Sequence, residues 1–141
     1  EGQGVKGRRA TVNHGERNYE SDDLERAEAH LGEALMNIRI LWDAGLTIAF
    51  GTDPYRGQSE TLSQATHEIE SLGKILSPTE VIAALTTNGA TFLGLSDDLG
   101  SLEPGKLADI VIVRGDPLAE LTDLTNVEVV IQGGRVVVDN R

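Results

Sequence analysis

Cysteine is absent from the 141 residues. That excludes disulfides, thiolate metal sites and a cysteine nucleophile. Aromatic side chains make up only 4% of the chain, so a core has to be built from Leu, Ile, Val and Ala. Positive charge is scarce: 12 Lys and Arg stand against 23 Asp and Glu, a net charge of −11. A surface of that sign repels phosphate backbones and argues against nucleic acid as a partner. No basic amphipathic face suggests a membrane surface, and no apolar run approaches the ~20 residues of a bilayer span. Histidine occurs three times, at His14, His30 and His67. None stands at His-x-His or His-Glu-x-x-His spacing, and a catalytic metal site takes about three protein ligands.

What remains is ordinary for one globular domain: 39% hydrophobic and 25% charged residues. The chain opens on Glu1-Gly2-Gln3-Gly4 rather than Met, and further sequence is expected upstream. Residues 1–20 are polar, rich in Gly and Arg, and read as a loop. Ser21 or Asp22 can cap a helix that carries Leu24, Ala27, Leu31, Leu35, Ile38, Leu41 and Trp42 at helical spacing and stops at Gly45. Leu46 to Phe50 reads as a short buried strand. A Gly-bounded loop follows, then a helix over residues 61–72. Ser77-Pro78-Thr79-Glu80 has the signature of a helix start, with a capping Ser, Pro at the first position and Glu three residues after the cap. The helix it opens runs over 81–87; Asn88-Gly89 interrupts, and 90–95 adds another turn or two. Helix, strand, helix, helix suits the end of an α/β fold with a parallel sheet.

The last third changes character. Glu103-Pro104-Gly105-Lys106 is a turn with the type II preference. Ile110 to Val113 is a β-branched run, and residues 127–131 and 135–138 flank the hairpin signal Gln132-Gly133-Gly134. Three short strands leave edges and half a hydrophobic face uncovered. Such a unit calls for strands from elsewhere, either a missing amino-terminal half or another copy in a homo-oligomer.

One residue stands where chemistry gathers. In "IAFGTDPYRGQSET" an apolar run ends in Gly-Thr-Asp-Pro, which puts Asp53 three residues past Phe50. Active sites of parallel α/β folds lie at the carboxyl ends of strands, and a carboxylate there can bind a divalent metal and accept a proton from water. Asp before Pro is also common turn chemistry, and those four residues alone leave both roles open. Arg56 could hold an anionic group or be an exposed loop residue. Ser59 and Ser63 lack the Gly-x-Ser-x-Gly elbow, and Gly133-Gly134 lacks the pattern of a phosphate loop.

Taken in order, four stretches resemble the carboxyl-terminal part of the amidohydrolase superfamily, on its imidazolonepropionase-like and prolidase-like branch. "AGLTIAFGTDP" is similar to the eighth barrel strand and its aspartate. "LSPTEVIAALTTNGATFLGL" resembles the helices that follow, "LGSLEPGKLADIVIVRGDPL" the strand returning to a small β-sandwich, and "VVIQGGRVV" its closing hairpin. The resemblance covers residues 35–141. It implies an α/β chain in which residues 1–98 are the last part of a (β/α)8 barrel and residues 99–141 are strands of the sandwich subdomain. It implies a hydrolase of carbon–nitrogen bonds acting on a small-molecule amide, with metal-activated water and a divalent metal, usually zinc. Asp53 is then general base and metal ligand. The family's His-x-His pair and its other ligands come from earlier strands that this chain does not contain. The barrel itself takes about 200 residues or more, so the chain on its own is expected to be inactive. The alternatives are a non-catalytic structural or interaction module of the same fold, or a short protein that completes its sheet with another chain.

Overall fold

The computed structural model describes residues 12–14, 17–19, 21–52 and 58–141. The chain is α/β and divides into two units, residues 1–37 and 38–141. In the first, two short strands, β1 (Val12–His14) and β2 (Arg17–Tyr19), pair antiparallel with Asn13 opposite Asn18. A strand pair therefore stands where the sequence reads as loop. Its polar residues give no period-2 signal, and pairing is its only mark. Helix α1 (Ser21–Asp43) follows as the spacing predicts, with Asp22 and Asp23 in its first turn, where the helix dipole favours negative charge. Leu35, at 8% exposure, is buried.

α1 ends at Gly45 as expected: the Gly45 N–H reaches Trp42 O at 2.9 Å, and the Leu46 N–H reaches Leu41 O at 3.1 Å. The core of the second unit is Ile69, Leu76 and Val81, with Trp42, Phe50, Leu72, Ile75, Leu85, Leu121 and Leu124 packed against them. α2 (Gln58–Leu72) supplies Ile69, and α3 (Pro78–Leu85) supplies Val81, which is fully buried. Ser77 caps α3 in the predicted reciprocal manner. The Glu80 N–H donates to Ser77 Oγ at 3.4 Å, and the Ser77 N–H donates to Glu80 Oε2 at 2.7 Å. α4 (Thr87–Leu93) follows at once. The break between the two helices lies at Thr86, at φ −126° and ψ −89°, not at Asn88-Gly89. Asn88 can remain helical because its side-chain amide bonds outside its own helix, to Ile48 O at 3.1 Å.

Among the described residues, 46–50, which the sequence marks as a strand, join no ladder. A ladder needs a partner, and among the described residues none pairs with this stretch. Beyond α4, Lys106 gathers the connecting loop: its ammonium donates to Ser96 O at 2.8 Å, Leu99 O at 3.4 Å and Ser101 Oγ at 2.6 Å. The Glu103–Lys106 turn closes with the Lys106 N–H on Glu103 O at 3.3 Å and Gly105 at φ +98°, as a type II turn requires. The sheet is three-stranded and antiparallel in the order β3 (Ile110–Val113), β4 (Val127–Gln132), β5 (Arg135–Asp139). A 3-10 turn over Leu121–Thr125 leads into β4. Gly133 and Gly134, at φ +54° and +78°, make the two-residue turn between β4 and β5, a conformation that matches the twist of the strands it joins. The Gly133 N–H donates to Asp109 Oδ1 at 2.6 Å and the Gly134 N–H to Ala108 O at 3.0 Å, which ties the turn to the start of β3. Val129 in β4 is buried, whereas Val111, Ile112, Val136 and Val137 are exposed. All strand pairs among the described residues are antiparallel.

Candidate functional site

The approach to Asp53 is held by helices. The last carbonyls of a helix have no partner within it, and those at the end of α3 are taken up one by one. Thr86 Oγ1 donates to Ile82 O at 2.7 Å, the Thr86 N–H to Ala83 O at 3.2 Å, and the Phe50 N–H to Ala84 O at 3.0 Å. Ala84 thus gains its bond from the stretch that the sequence marks as a strand. Two residues before Phe50, Ile48 O accepts from Asn88 Nδ2. Two residues after it, Thr52 O accepts from Gln64 Nε2 at 3.0 Å. The Phe50 ring packs on the Ile69, Leu76 and Val81 core. Three ties at residues 48, 50 and 52, together with one half-buried ring, fix this segment up to Thr52.

Asp53, Tyr55 and Arg56 lie outside the described residues. The histidines stand on three different elements. His14 is in β1. His30 is exposed on α1, with Nδ1 3.9 Å from Glu33 Oε2. His67 is exposed in the body of α2. Among the described residues no three His, Asp or Glu side chains are grouped so as to hold a metal ion.

Shifted ionisations lie elsewhere, and each has a local cause. Glu80 is held below the usual carboxylate range by the Ser77 N–H, then by the Ser77 hydroxyl and by Arg39. Glu103 is lowered by the Ser101 hydroxyl and by Lys106. Asp139 is lowered to about 2 by Arg141. Shifted groups often mark reactive sites, but these three belong to a helix cap, a turn and a strand end. The side chains that do reach the approach to Asp53, namely Gln64 and Asn88, carry no motif. Gln64 Nε2 also donates to Glu68 Oε1 at 3.1 Å. Their i, i+4 spacing in α2 is the one trace of this pair in the sequence.

Comparison with known proteins agrees with the order of these elements. The profile of the amidohydrolase family matches residues 5–137. The imidazolonepropionase of Geobacillus kaustophilus strain HTA426 is 38% identical over 106 residues, which is 72% of this chain and 25% of that protein. The crystal structure of an amidohydrolase superposes with a TM-score of 0.66 at 36% identity, covering 77% of this chain and 26% of the other. A Xaa-Pro dipeptidase with methionine bound in its active site superposes at 0.62 with 31% identity, covering 72% and 25%. The chain spans about a quarter of the length of the curated relatives it matches.

Proposed function

Because the chain belongs to the amidohydrolase family, on the branch of imidazolonepropionase-like and prolidase-like proteins, we propose that it is the carboxyl-terminal part of an enzyme that hydrolyses carbon–nitrogen bonds. Its substrates are small cyclic amides or dipeptide-type amides, the classes that the names of its relatives point to. Residues 1–98 form the end of a (β/α)8 barrel, and residues 99–141 add strands to a small β-sandwich. Asp53 is the general base. It takes a proton from the attacking water as the water oxygen bonds to the amide carbon, and returns that proton to the nitrogen as the carbon–nitrogen bond breaks. Amidohydrolases are typically metal-dependent. The described residues assemble no metal site, so a metal in this enzyme is held mainly by residues outside the chain, with Asp53 as the ligand this chain adds.

The observation that supports this most directly is the anchored approach. Helix α3, Asn88 and Gln64 each spend a hydrogen bond on residues 48–52, the stretch leading to the Gly51-Thr52-Asp53 signature. The test is Asp53→Asn in the complete protein, assayed on imidazolonepropionate and on the dipeptide Met-Pro. A general base contributes about 10²–10⁴-fold, so kcat falls by at least about 100-fold while the melting temperature holds. Near-normal turnover in the variant would remove Asp53 from the mechanism.

A further inference from the structure

Gly89 stands in α4 with no steric need for glycine. It is the third residue of that helix, and its φ is not positive. A Cβ built on it would meet only Ala84 O, at 3.8 Å, an ordinary contact. Alanine would serve the helix better. The residue before it is Asn88, the only asparagine of this chain that precedes a glycine. Asn13, Asn18, Asn37, Asn126 and Asn140 precede His, Tyr, Ile, Val and Arg. In an Asn-Gly pair no side chain shields the glycine nitrogen from the carboxamide carbon of the asparagine. The carboxamide at risk here is the one that donates to Ile48 O, at 3.1 Å.

The fold holds the two reacting groups apart. Ring closure makes a nearly flat five-membered imide, whereas a helical ψ of about −42° turns the following nitrogen out of that plane. The Asn88 amide is also held toward Ile48 O, on a distant stretch of chain. The start of α4 is held less firmly. Thr86, its cap residue, gives its hydroxyl to Ile82 O at 2.7 Å and makes no side-chain bond to the first turn of α4. The leading N–H groups of a helix have no partner within it, and a helix of seven residues frays readily from such an end.

We propose that Asn88-Gly89 is a deamidation site gated by the opening of α4, and that its reaction permanently removes the tie on Ile48. In the open state the Gly89 nitrogen gives up its proton and bonds to Asn88 Cγ. The bond from Cγ to Nδ2 breaks, and Nδ2 leaves with that proton as ammonia. Water then opens the imide at one of its two carbonyls and leaves aspartate or isoaspartate at position 88. Neither side chain has an N–H to give, so a carboxylate meets the Ile48 carbonyl acceptor against acceptor. Isoaspartate also adds a methylene to the α4 backbone. Nothing in this chemistry draws on the hydrolytic reaction.

The experiment holds the complete protein in mildly alkaline buffer, with guanidinium chloride above its unfolding midpoint and without it. Peptide mapping by mass spectrometry follows each asparagine of residues 1–141. Asn88 is expected to convert ahead of the others in denaturant, and at least about 10-fold more slowly without it. Gly89→Ala is expected to lose the fast conversion in denaturant and to keep or raise the melting temperature. The deamidated protein is then separated by its added negative charge. Hydrogen exchange is read at the Phe50 amide, which donates to Ala84 O two residues from Ile48. It is expected to quicken about 10-fold, because a part-buried carbonyl has lost its donor. Asn88→Asp should show the same exchange, and the separated fraction supplies the reading even if that variant fails to fold. Equal conversion with and without denaturant would overturn the gating. Conversion of Gly89→Ala as fast as the native chain in denaturant would overturn the site. Unchanged exchange at Phe50 in the deamidated fraction would overturn the loss of the tie.

Discussion

The Glu80 carboxylate accepts from the Ser77 N–H at 2.7 Å, the Ser77 hydroxyl at 2.9 Å and Arg39 Nη1 at 3.2 Å. Arg39 in turn donates to Asp43 through Nε at 3.0 Å and to Ile75 O at 3.2 Å. These bonds favour the charged carboxylate, so its pKa lies below the ordinary value. The sign follows from that direction. The stabilisation is complete above the unfolded value of about 4.3, and it drains away as pH falls through the lower, folded value. Glu80→Gln in the complete protein should therefore lower the urea midpoint at neutral pH and flatten its fall on acidification, with the two curves converging at the acid end. Parallel curves would show that Glu80 titrates alike folded and unfolded. The cap was legible in the sequence because Ser77, Pro78 and Glu80 are neighbours whose chemistry is local. The part played by Arg39, 41 residues from Glu80, was not, since nothing in a lone arginine names its partner. Gln64 was illegible for the same reason: nothing in the sequence says that folding brings the Thr52 carbonyl to it.

The turn between β4 and β5 places two consecutive residues at positive φ, which non-glycine residues enter at a cost of about 1–2 kcal/mol each. Asn tolerates that region and Val does not. Gly133→Asn should leave the urea midpoint of the complete protein close to native, whereas Gly134→Val should lower its stability by about 1–2 kcal/mol. Equal midpoints for the two variants would mean that the turn is not held in this form. The turn was readable because two glycines between β-branched runs admit few alternatives. α1 was readable from its period and its terminal glycine. Residues 46–50, read as a strand, find no partner among the described residues, because apolar character reports burial while strand pairing depends on a neighbour that no local pattern specifies. The helix break was misplaced by two residues because Asn88 looked like a stop signal, and its side chain instead bonds to Ile48 O.

Across the second unit, the core is small and much apolar surface is uncovered. Phe92 is 75% exposed, Leu93 69% and Leu102 78%, and Val111, Ile112, Val136 and Val137 stand open on the sheet. The sequence foretold the uncovered sheet, since three strands cannot hide both faces. It did not foretell the exposure of Phe92 and Leu93, because the spacing that puts a residue on an apolar helix face does not say whether anything covers that face. Open apolar surface of this kind drives association. The 141-residue chain expressed alone should sediment as a mixture of oligomers and bind a hydrophobic dye, and the complete protein should do neither. A monodisperse monomer of the short chain with a sharp melt would refute this.

The loop that Lys106 closes bears on proteolysis. Trypsin must bind a lysine side chain in an extended segment before it cuts. Here the ammonium is engaged by two carbonyls and a hydroxyl, and the side chain is only 17% exposed. The peptide bond after Lys106 is therefore no substrate while the loop is closed. Cleavage there has to wait for residues 96–106 to come apart, which makes nicking at this one bond a report on how often that stretch opens.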